Sequence, residues 1–178
     1  FLIIFTSGTT GKPKGISITN NSYVKSAKSF SKLIDYDENS KILHMLPMYY
    51  NAGLLNTFIS PFFSGSIIIL SEKISGFNLV NFWKIFEEEE INSFHLTPEI
   101  ANTLTKLNIK KNFSDNISKI QIISTGSYLH QNTIDKFEKL YKKRLLSCYG
   151  LTELGGPLTI QNWENTYVEG SVGYHSKD

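Results

Sequence analysis

The sequence predicts an α/β fold, with a mostly parallel sheet flanked by helices. Short apolar runs rich in isoleucine and leucine alternate with stretches of helical periodicity along most of the chain. This alternation is typical of parallel strands joined by right-handed helical crossovers. The chain has 178 residues, of which 40% are hydrophobic and 19% are charged, so it is large and apolar enough to bury a sizeable core.

A strand and a helix are predicted near the N-terminus. Phe1–Phe5 is a continuous apolar run, which is typical of a strand covered on both faces. Thr19 or Asn20 can cap a helix. The apolar residues that follow recur at helical spacing: Tyr23, Ala27, Phe30 and Ile34.

Two further strands, Lys41–Leu46 and Ser66–Leu70, are predicted in the middle of the chain. Between them, Asn51–Phe63 is expected to form a short helix that ends near Pro61, because proline disrupts helix interiors. Asn78–Glu90 gives the clearest helical pattern. Its apolar stripe consists of Leu79, Phe82, Trp83 and Phe86.

The same alternation continues in the second half. Helices are expected from Pro98, which suits a first helical turn, and over Gln131–Lys143. A polar loop is expected over residues 108–118, and a turn-rich tail with one short strand after Gly150. The predicted strands are Ser93–Leu96, Ile120–Ile123 and Leu145–Tyr149.

Charge and cysteine content exclude several classes of partner. The net charge of +2 gives no strong field for nucleic acid or an anionic membrane. Cys148 is the single cysteine, so no internal disulfide can form, and the four histidines show no zinc-like spacing. Pro61 and Gly65 interrupt the most apolar window, so no transmembrane segment is expected. We therefore predict a cytoplasmic protein.

A candidate phosphate-binding loop follows the first predicted strand, with the sequence F-T-S-G-T-T-G-K-P-K-G over Phe5–Gly15. Its glycines let the backbone approach a ligand, and successive N–H groups in such a loop form an anion-binding concavity. Hydroxyl and ammonium groups add further donors. The candidate ATP-binding residues are Thr6, Ser7, Gly8, Thr9, Thr10, Gly11 and Lys14.

Two other interpretations of this loop are open. A Walker A loop needs the spacing G-x-x-x-x-G-K-[ST], but Gly8 and Gly11 are too close, and Pro13 stands where a hydroxyl should bind magnesium. A P-loop NTPase is therefore disfavoured. A simple surface turn rich in glycine, serine and threonine is the other alternative.

A second candidate segment is Y-G-L-T-E, Tyr149–Glu153, directly after a predicted strand. Tyr149 could stack on a base, Thr152 could donate to a phosphate, and Glu153 could hold magnesium, which binds carboxylates together with substrate phosphates. A structural turn is the alternative reading of this pentapeptide. Because ligands bind beyond the carboxyl ends of parallel strands, we expect these segments to meet at one sheet edge.

Together these strings resemble the adenylate-forming (AMP-binding) superfamily, of the acyl-CoA synthetase type. The loop resembles the family's T-S-G-T-T-G-x-P-K-G, and Tyr149–Glu153 resembles its Y-G-x-T-E. Ser124–Leu129, Leu46–Leu55 and Gly170–Tyr174 resemble, in order, its adenine-pocket turn, its acyl-pocket segment and its G-S-V-G turn. Tyr128 stands in place of a usual proline, Tyr50 in place of a usual histidine and His175 in place of a second proline.

The resemblance implies roles for individual residues. Lys14, Thr152 and Glu153 would be catalytic, with Glu153 on magnesium. Tyr149 would lie against adenine and Gly150 beside it, and the adenine turn would contribute Gly126, Ser127 and Tyr128. Tyr50, Asn51 and Gly53 would contact the substrate.

The resemblance also implies an activity. A carboxylate would be activated by ATP with Mg²⁺ to an acyl-adenylate, and CoA or the phosphopantetheine thiol of an acyl carrier protein would then accept the acyl group. A fatty or aromatic acid is predicted, because Leu46–Leu55 has no acidic residue to pair with an amino group. An amino-acid-adenylating domain and a non-catalytic nucleotide-binding relative are the alternatives.

The domain organisation implied is the central fragment of the family's large N-terminal domain. Residues 1–150 would form the ATP-binding subdomain with the phosphate loop, and residues 151–178 the start of the next Gly-rich segment. The C-terminal lid domain and its lysine would lie beyond Asp178, so the 178 residues alone are expected to be inactive.

Overall fold

The computed structural model describes residues 2–6, 11–71, 82–107, 120–161 and 168–175. The strands in chain order are β1 (Leu2–Thr6), β2 (Lys14–Ile18), β3 (Lys41–His44), β4 (Ile67–Leu70), β5 (Ser93–Leu96), β6 (Gln121–Ser124), β7 (Leu145–Leu151), β8 (Gly156–Ile160) and β9 (Tyr174–His175). The α-helices are α1 (Asn20–Leu33), α2 (Ser60–Ser64), α3 (Lys84–Glu88), α4 (Pro98–Leu107) and α5 (Gln131–Tyr141). A π-helix, Ala52–Ile59, leads directly into α2, and a 3₁₀ turn covers Thr152–Leu154.

The predicted α/β fold is confirmed. One mixed sheet has the order β4-β3-β5-β6-β7-β8-β9, in which β4 to β7 are parallel to their neighbours and β8 and β9 are antiparallel. Alternate strand residues face opposite layers. Ile122 contributes to the core beneath α3, α4 and α5, whereas Ile123 contributes to the core beneath α1. The sheet is therefore covered by helices on both faces.

The first predicted strand does not belong to this sheet. β1 instead pairs with β2 in a separate antiparallel hairpin, with Thr6 opposite Lys14. The expectation that both faces are covered is wrong, because Ile3 is 48% exposed and Phe5 is 71% exposed. The sequence does not predict strand β2, because Lys14–Ile18 is assigned to the end of the candidate phosphate loop and to the segment that leads into the first helix. The hairpin packs through Ile4 and Ile18 against α1 and the π-helix.

Helix α1 agrees with its prediction, since Thr19 Oγ1 accepts a hydrogen bond from the Ser22 N–H as the N-cap. The helix predicted over Asn51–Phe63 is confirmed as the π-helix followed by α2, although it ends at Ser64 and not near Pro61. Pro61 lies in the first turn of α2, where proline is tolerated, and the helix continues to Ser64. Gly65 ends it in the left-handed conformation, with φ of 73°.

Several other predictions concern segments that the structure describes only in part. The predicted helix over 78–90 is described only from residue 82, where α3 is short and Phe82, Trp83 and Phe86 are buried as expected. Phe1, Leu79 and the predicted loop 108–118 lie outside the described residues. After Gly150 two strands form where one was expected. No helix in the described ranges has the length and apolar character to span a bilayer.

A buried polar cluster lies in the sheet at β5. The His95 ring is 0% exposed, and its Nε2 is hydrogen-bonded to the Tyr36 hydroxyl (3.2 Å), which also bonds Ser93 Oγ (3.2 Å). Burial lowers the pKa of His95 to about 3. His95 is therefore neutral in the folded protein at neutral and mildly acidic pH.

This pKa predicts acid destabilisation. Below pH 6.5 the unfolded chain takes up a proton that folded His95 rejects until about pH 3, so stability falls with pH through that window. We expect His95 to contribute a loss of about 2 kcal/mol between pH 7.5 and 5. Urea unfolding of wild type and His95→Gln at both pH values measures it. The variant should lose less on acidification, and equal losses would contradict the assignment. His130→Gln, at an exposed ring, is the control.

Candidate functional site

A cavity of about 790 Å³ opens at the carboxyl ends of the parallel strands. Separate stretches of chain line it: the end of β1, the segment from Tyr50 into the π-helix, the turn after β6 with the start of α5, the end of β7 with β8, and the turn before β9. This is the edge at which the candidate segments were expected to meet. Its volume suits a small-molecule ligand.

Most of the predicted site residues line this cavity: Thr6, Tyr50, Asn51, Gly126, Ser127, Tyr128, Tyr149, Gly150, Thr152 and Glu153. Gly11, Lys14 and Gly53 are described but are not among its lining residues. Lys14 is exposed on β2, opposite the lining residue Thr6. Ser7, Gly8, Thr9 and Thr10 lie outside the described residues.

Tyr50 and Gly126 meet across the cavity. Gly126 has φ of +106°, and a Cβ built on it would overlap the Tyr50 hydroxyl oxygen. Burial chiefly raises the pKa of Tyr50, with further contributions from Cys148 and Glu99. Tyr50 therefore stays a neutral hydroxyl, which cannot supply the positive charge of a protonated histidine.

Gly126→Ala is expected to lower the free energy of unfolding by about 1–3 kcal/mol, because alanine is strained at this φ and overlaps Tyr50. Adding Tyr50→Phe should restore part of the loss by removing the overlapped oxygen. Gly65→Ala is the matched control, since Gly65 also has a positive φ but has no atom within 4 Å of a built Cβ. Chemical denaturation compares the variants. Equal losses for Gly126→Ala and Gly65→Ala would exclude the Tyr50 overlap.

The two other predicted substrate residues have structural partners. The Tyr23 hydroxyl donates a hydrogen bond to Asn51 Oδ1 at 2.9 Å, which ties the start of the π-helix to α1. Gly53 lies against the backbone of Leu46 and Pro47, so closely that a Cβ would overlap the Pro47 carbonyl oxygen. The close contact at Gly53 therefore holds the π-helix, which lines one side of the cavity, against the segment that follows β3.

Sequence reasoning missed part of the cavity's interior. Cys148 lines it and is buried, and burial raises the pKa of its thiol to about 12 although a hydrogen bond with Thr125 opposes the shift. The thiol is therefore neutral and a poor nucleophile. Asn56 also lines the cavity and is 1% exposed. Its signal was a lone amide within the apolar run L-L-N-T-F-I.

The end of β7 and the 3₁₀ turn that follows it carry the Y-G-L-T-E residues. Tyr149 is 42% exposed, as a stacking surface requires, and Glu153 is exposed on the 3₁₀ turn. Gly150 allows β7 to approach β8, because a Cβ there would lie 2.6 Å from the Gly156 carbonyl oxygen. A side chain at position 150 would push these two strands apart.

The opposite wall is the turn before β9, which Gln161 holds in place. Gln161 Nε2 donates to the Ser171 carbonyl oxygen (2.8 Å), and its Oε1 accepts from the Ser147 N–H (2.8 Å). This turn brings Glu169, which sequence reasoning did not select, to the same cavity as Glu153.

The donor set at Glu153 is compatible with magnesium. Magnesium is usually bound by one or two carboxylates together with substrate phosphates and water. No cluster of three or more histidine, cysteine or acidic side chains suited to a metal occurs in the ranges that the structure describes. A metal held by Glu153 would take its other ligands from substrate phosphates and water.

The chain is similar in sequence to two plant CoA ligases. The chain is 28% identical to an Arabidopsis thaliana malonate–CoA ligase over 85% of this chain and 27% of that protein. It is also 28% identical to the A. thaliana chloroplastic/peroxisomal 2-succinylbenzoate–CoA ligase, over 89% of this chain and 28% of that protein. The chain thus spans less than a third of these relatives.

Solved structures share the fold. Superposition on ATP-bound MatB from Rhodopseudomonas palustris gives a TM-score of 0.79 at 21% identity, over 98% of this chain and 33% of that one. The model of the AMP-binding enzyme family matches residues 1–176, which is nearly the whole sequence. The chain therefore belongs to the AMP-binding enzyme family.

Proposed function

We propose that the full-length protein containing this chain activates an organic carboxylate with ATP and transfers the acyl group to CoA. The observation that carries the proposal is the single cavity shared by the end of β1, the turn after β6 and the Y-G-L-T-E turn. The names of the two plant relatives favour CoA over a carrier-protein thiol as acceptor. Cytoplasmic localisation and the domain division at residue 150 stay predictions.

Two displacements make up the proposed reaction. A substrate carboxylate oxygen attacks the α-phosphorus of ATP, the bond to pyrophosphate breaks, and an acyl-adenylate forms. The sulfur of CoA then attacks the acyl carbonyl carbon, and AMP leaves. Most of the work required of the protein is to align the groups and offset negative charge.

The cavity residues and Lys14 have different tasks in binding ATP, according to where each one lies. Tyr149 offers its half-exposed ring to adenine, with Gly126 and Ser127 beside it. Thr152 donates to the α-phosphate, and Lys14 adds positive charge beside the β1–β2 connection. Glu153 would hold magnesium, which supplies charge neutralisation on the triphosphate when bound.

The substrate that we propose has an apolar or aromatic body and is not an amino acid. No carboxylate occurs on the wall formed by residues 50–56, whereas a buried ammonium group would need one. Tyr50, Ala52 and the methylene parts of the two asparagines supply surface for a hydrocarbon body. The relatives' printed substrates, malonate and 2-succinylbenzoate, also lack an amino group.

Carboxylate-dependent exchange of pyrophosphate into ATP tests the proposal on the full-length protein. We expect fatty, aromatic or dicarboxylic acids to stimulate exchange and free amino acids not to do so. Exchange that responds only to amino acids would support an adenylation domain for peptide synthesis. ATP binding without exchange for any acid would support a non-catalytic relative.

A further inference from the structure

Asn56 is the unusual side chain on the cavity wall. It is 1% exposed and lines the cavity, yet neither its amide nitrogen nor its amide oxygen has a hydrogen-bond partner within the described part of the chain. Most buried polar groups in folded proteins are hydrogen-bonded, because an unpaired one has lost its water without replacement. The unpaired amide therefore requires an explanation.

The neighbouring polar side chains do have partners. The Thr57 hydroxyl donates to the Gly53 carbonyl oxygen (3.0 Å) and is hydrogen-bonded to His44 Nδ1 (2.8 Å). Asn51 accepts from Tyr23, as described above. The local fold thus satisfies polar groups on the other faces of the π-helix and leaves the buried Asn56 amide unpaired at the cavity wall.

Helix geometry explains the cavity position of Asn56. In a π-helix the hydrogen bonds run from residue i to i+5, so residues four apart lie close to the same face. Ala52 and Asn56 share the cavity face, whereas Gly53 and Thr57 share the face that contacts the end of β3.

We infer that Asn56 recognises a second oxygen on the carbon skeleton of the substrate, separate from the carboxylate that is activated. This inference rests on the proposed function and narrows its substrate class to oxygenated acids: keto, hydroxy or dicarboxylic. The amide has both donors and an acceptor, so it pairs with a carbonyl, a hydroxyl or a carboxylate. A plain hydrocarbon tail leaves it unpaired.

The expected discrimination follows from that unpaired amide. Pairing one buried polar group, instead of leaving it unsatisfied, changes kcat/KM by about 5- to 150-fold, equivalent to about 1–3 kcal/mol. Sites built to hydrogen-bond a substrate oxygen reject analogues that lack it for the same reason.

The test uses pyrophosphate exchange by the full-length protein with matched acids. Hexanoate is compared with 3-, 4- and 5-oxohexanoate, and phenylacetate with its ring-hydroxylated forms. Each series moves the second oxygen along the substrate, because only one distance from the activated carboxylate should bring that oxygen to Asn56. The variant is Asn56→Leu, which keeps nearly the same shape without the amide. Ser60→Ala is the matched control, since Ser60 Oγ is also buried and unpartnered within the described residues but does not line the cavity.

We expect wild type to prefer one oxygenated acid by about 5- to 150-fold in kcat/KM, and Asn56→Leu to remove that preference mainly by gaining activity on the plain acid. Ser60→Ala should keep it. A wild type that uses plain acids equally well, or an Asn56→Leu variant that keeps the ratio, overturns the inference and leaves the proposed function standing. No exchange with any acid overturns both. The wild-type comparison decides the matter if the variant does not fold.

Discussion

Glu153→Ala in the full-length protein is expected to lower carboxylate-dependent pyrophosphate exchange by about 10²–10³ in kcat, the usual result of removing one member of a transition-state electrostatic set. Glu153 is exposed in the cavity on the turn that follows β7, so the loss should reflect its carboxylate and not a folding defect. Exchange rates measured across a magnesium titration would show the loss, with the magnesium requirement shifted to higher concentration.

The control for this experiment is Glu88→Gln, because Glu88 forms an exposed ion pair with Lys84 on α3 and is not among the residues lining the cavity. It should leave both kcat and the magnesium requirement unchanged. If Glu153→Ala had wild-type exchange at every magnesium concentration, the assignment of Glu153 as the metal ligand would be wrong.

Gly53→Ala should lower the free energy of unfolding by about 3 kcal/mol. The added Cβ would overlap the Pro47 carbonyl oxygen and lie 2.8 Å from the Leu46 carbonyl oxygen. Both obstacles are backbone atoms, so no side-chain rotation relieves them. Moving the π-helix away would displace Asn56 from the cavity wall and lower activity as well.

Gly15→Ala provides a comparison for that loss. A Cβ on Gly15 would meet the Ile3 side chain at 3.1 Å, and that exposed side chain can move. Thermal and urea unfolding should therefore show a small effect for Gly15→Ala and a large one for Gly53→Ala. Similar values for both would mean that the close approach at Pro47 relaxes easily.

The helical layers and the central strands were predictable because their signal is local. The helical periodicity of Tyr23, Ala27 and Phe30 reflects burial on one face, which the structure confirms, and the predicted strand Ser93–Leu96 is buried along its whole length. The hairpin was not predictable in the same way. An apolar run indicates a strand but not its partner, and the pairing of β1 with β2 depends on tertiary contacts with α1 and the π-helix.

The residues of the candidate site were likewise predictable only where their sequence signal is local. Tyr149 and Glu153 could be selected because they form a short string after a strand, and the structure places both in the cavity. Asn56 gave only a weak signal, a lone amide in an apolar run, and Glu169 gave none, because it reaches the cavity through the folding of the turn before β9. Gln161 holds that turn by donating to the Ser171 carbonyl oxygen and accepting from the Ser147 N–H, and no spacing in the sequence displays these contacts.

The antiparallel hairpin has a consequence for how a triphosphate would be held. In Walker A and Rossmann sites the phosphate sits at a helix N-terminus, where the peptide dipoles favour negative charge. Here residues 7–13 connect β1 to β2, and α1 begins only at Asn20, beyond the whole of β2. We expect a triphosphate bound beside this connection to be attracted by the exposed ammonium group of Lys14 and not by a helix dipole. Because mobile ions screen exposed ammonium groups over about 10 Å at 0.1 M salt, nucleotide affinity should weaken markedly as ionic strength rises.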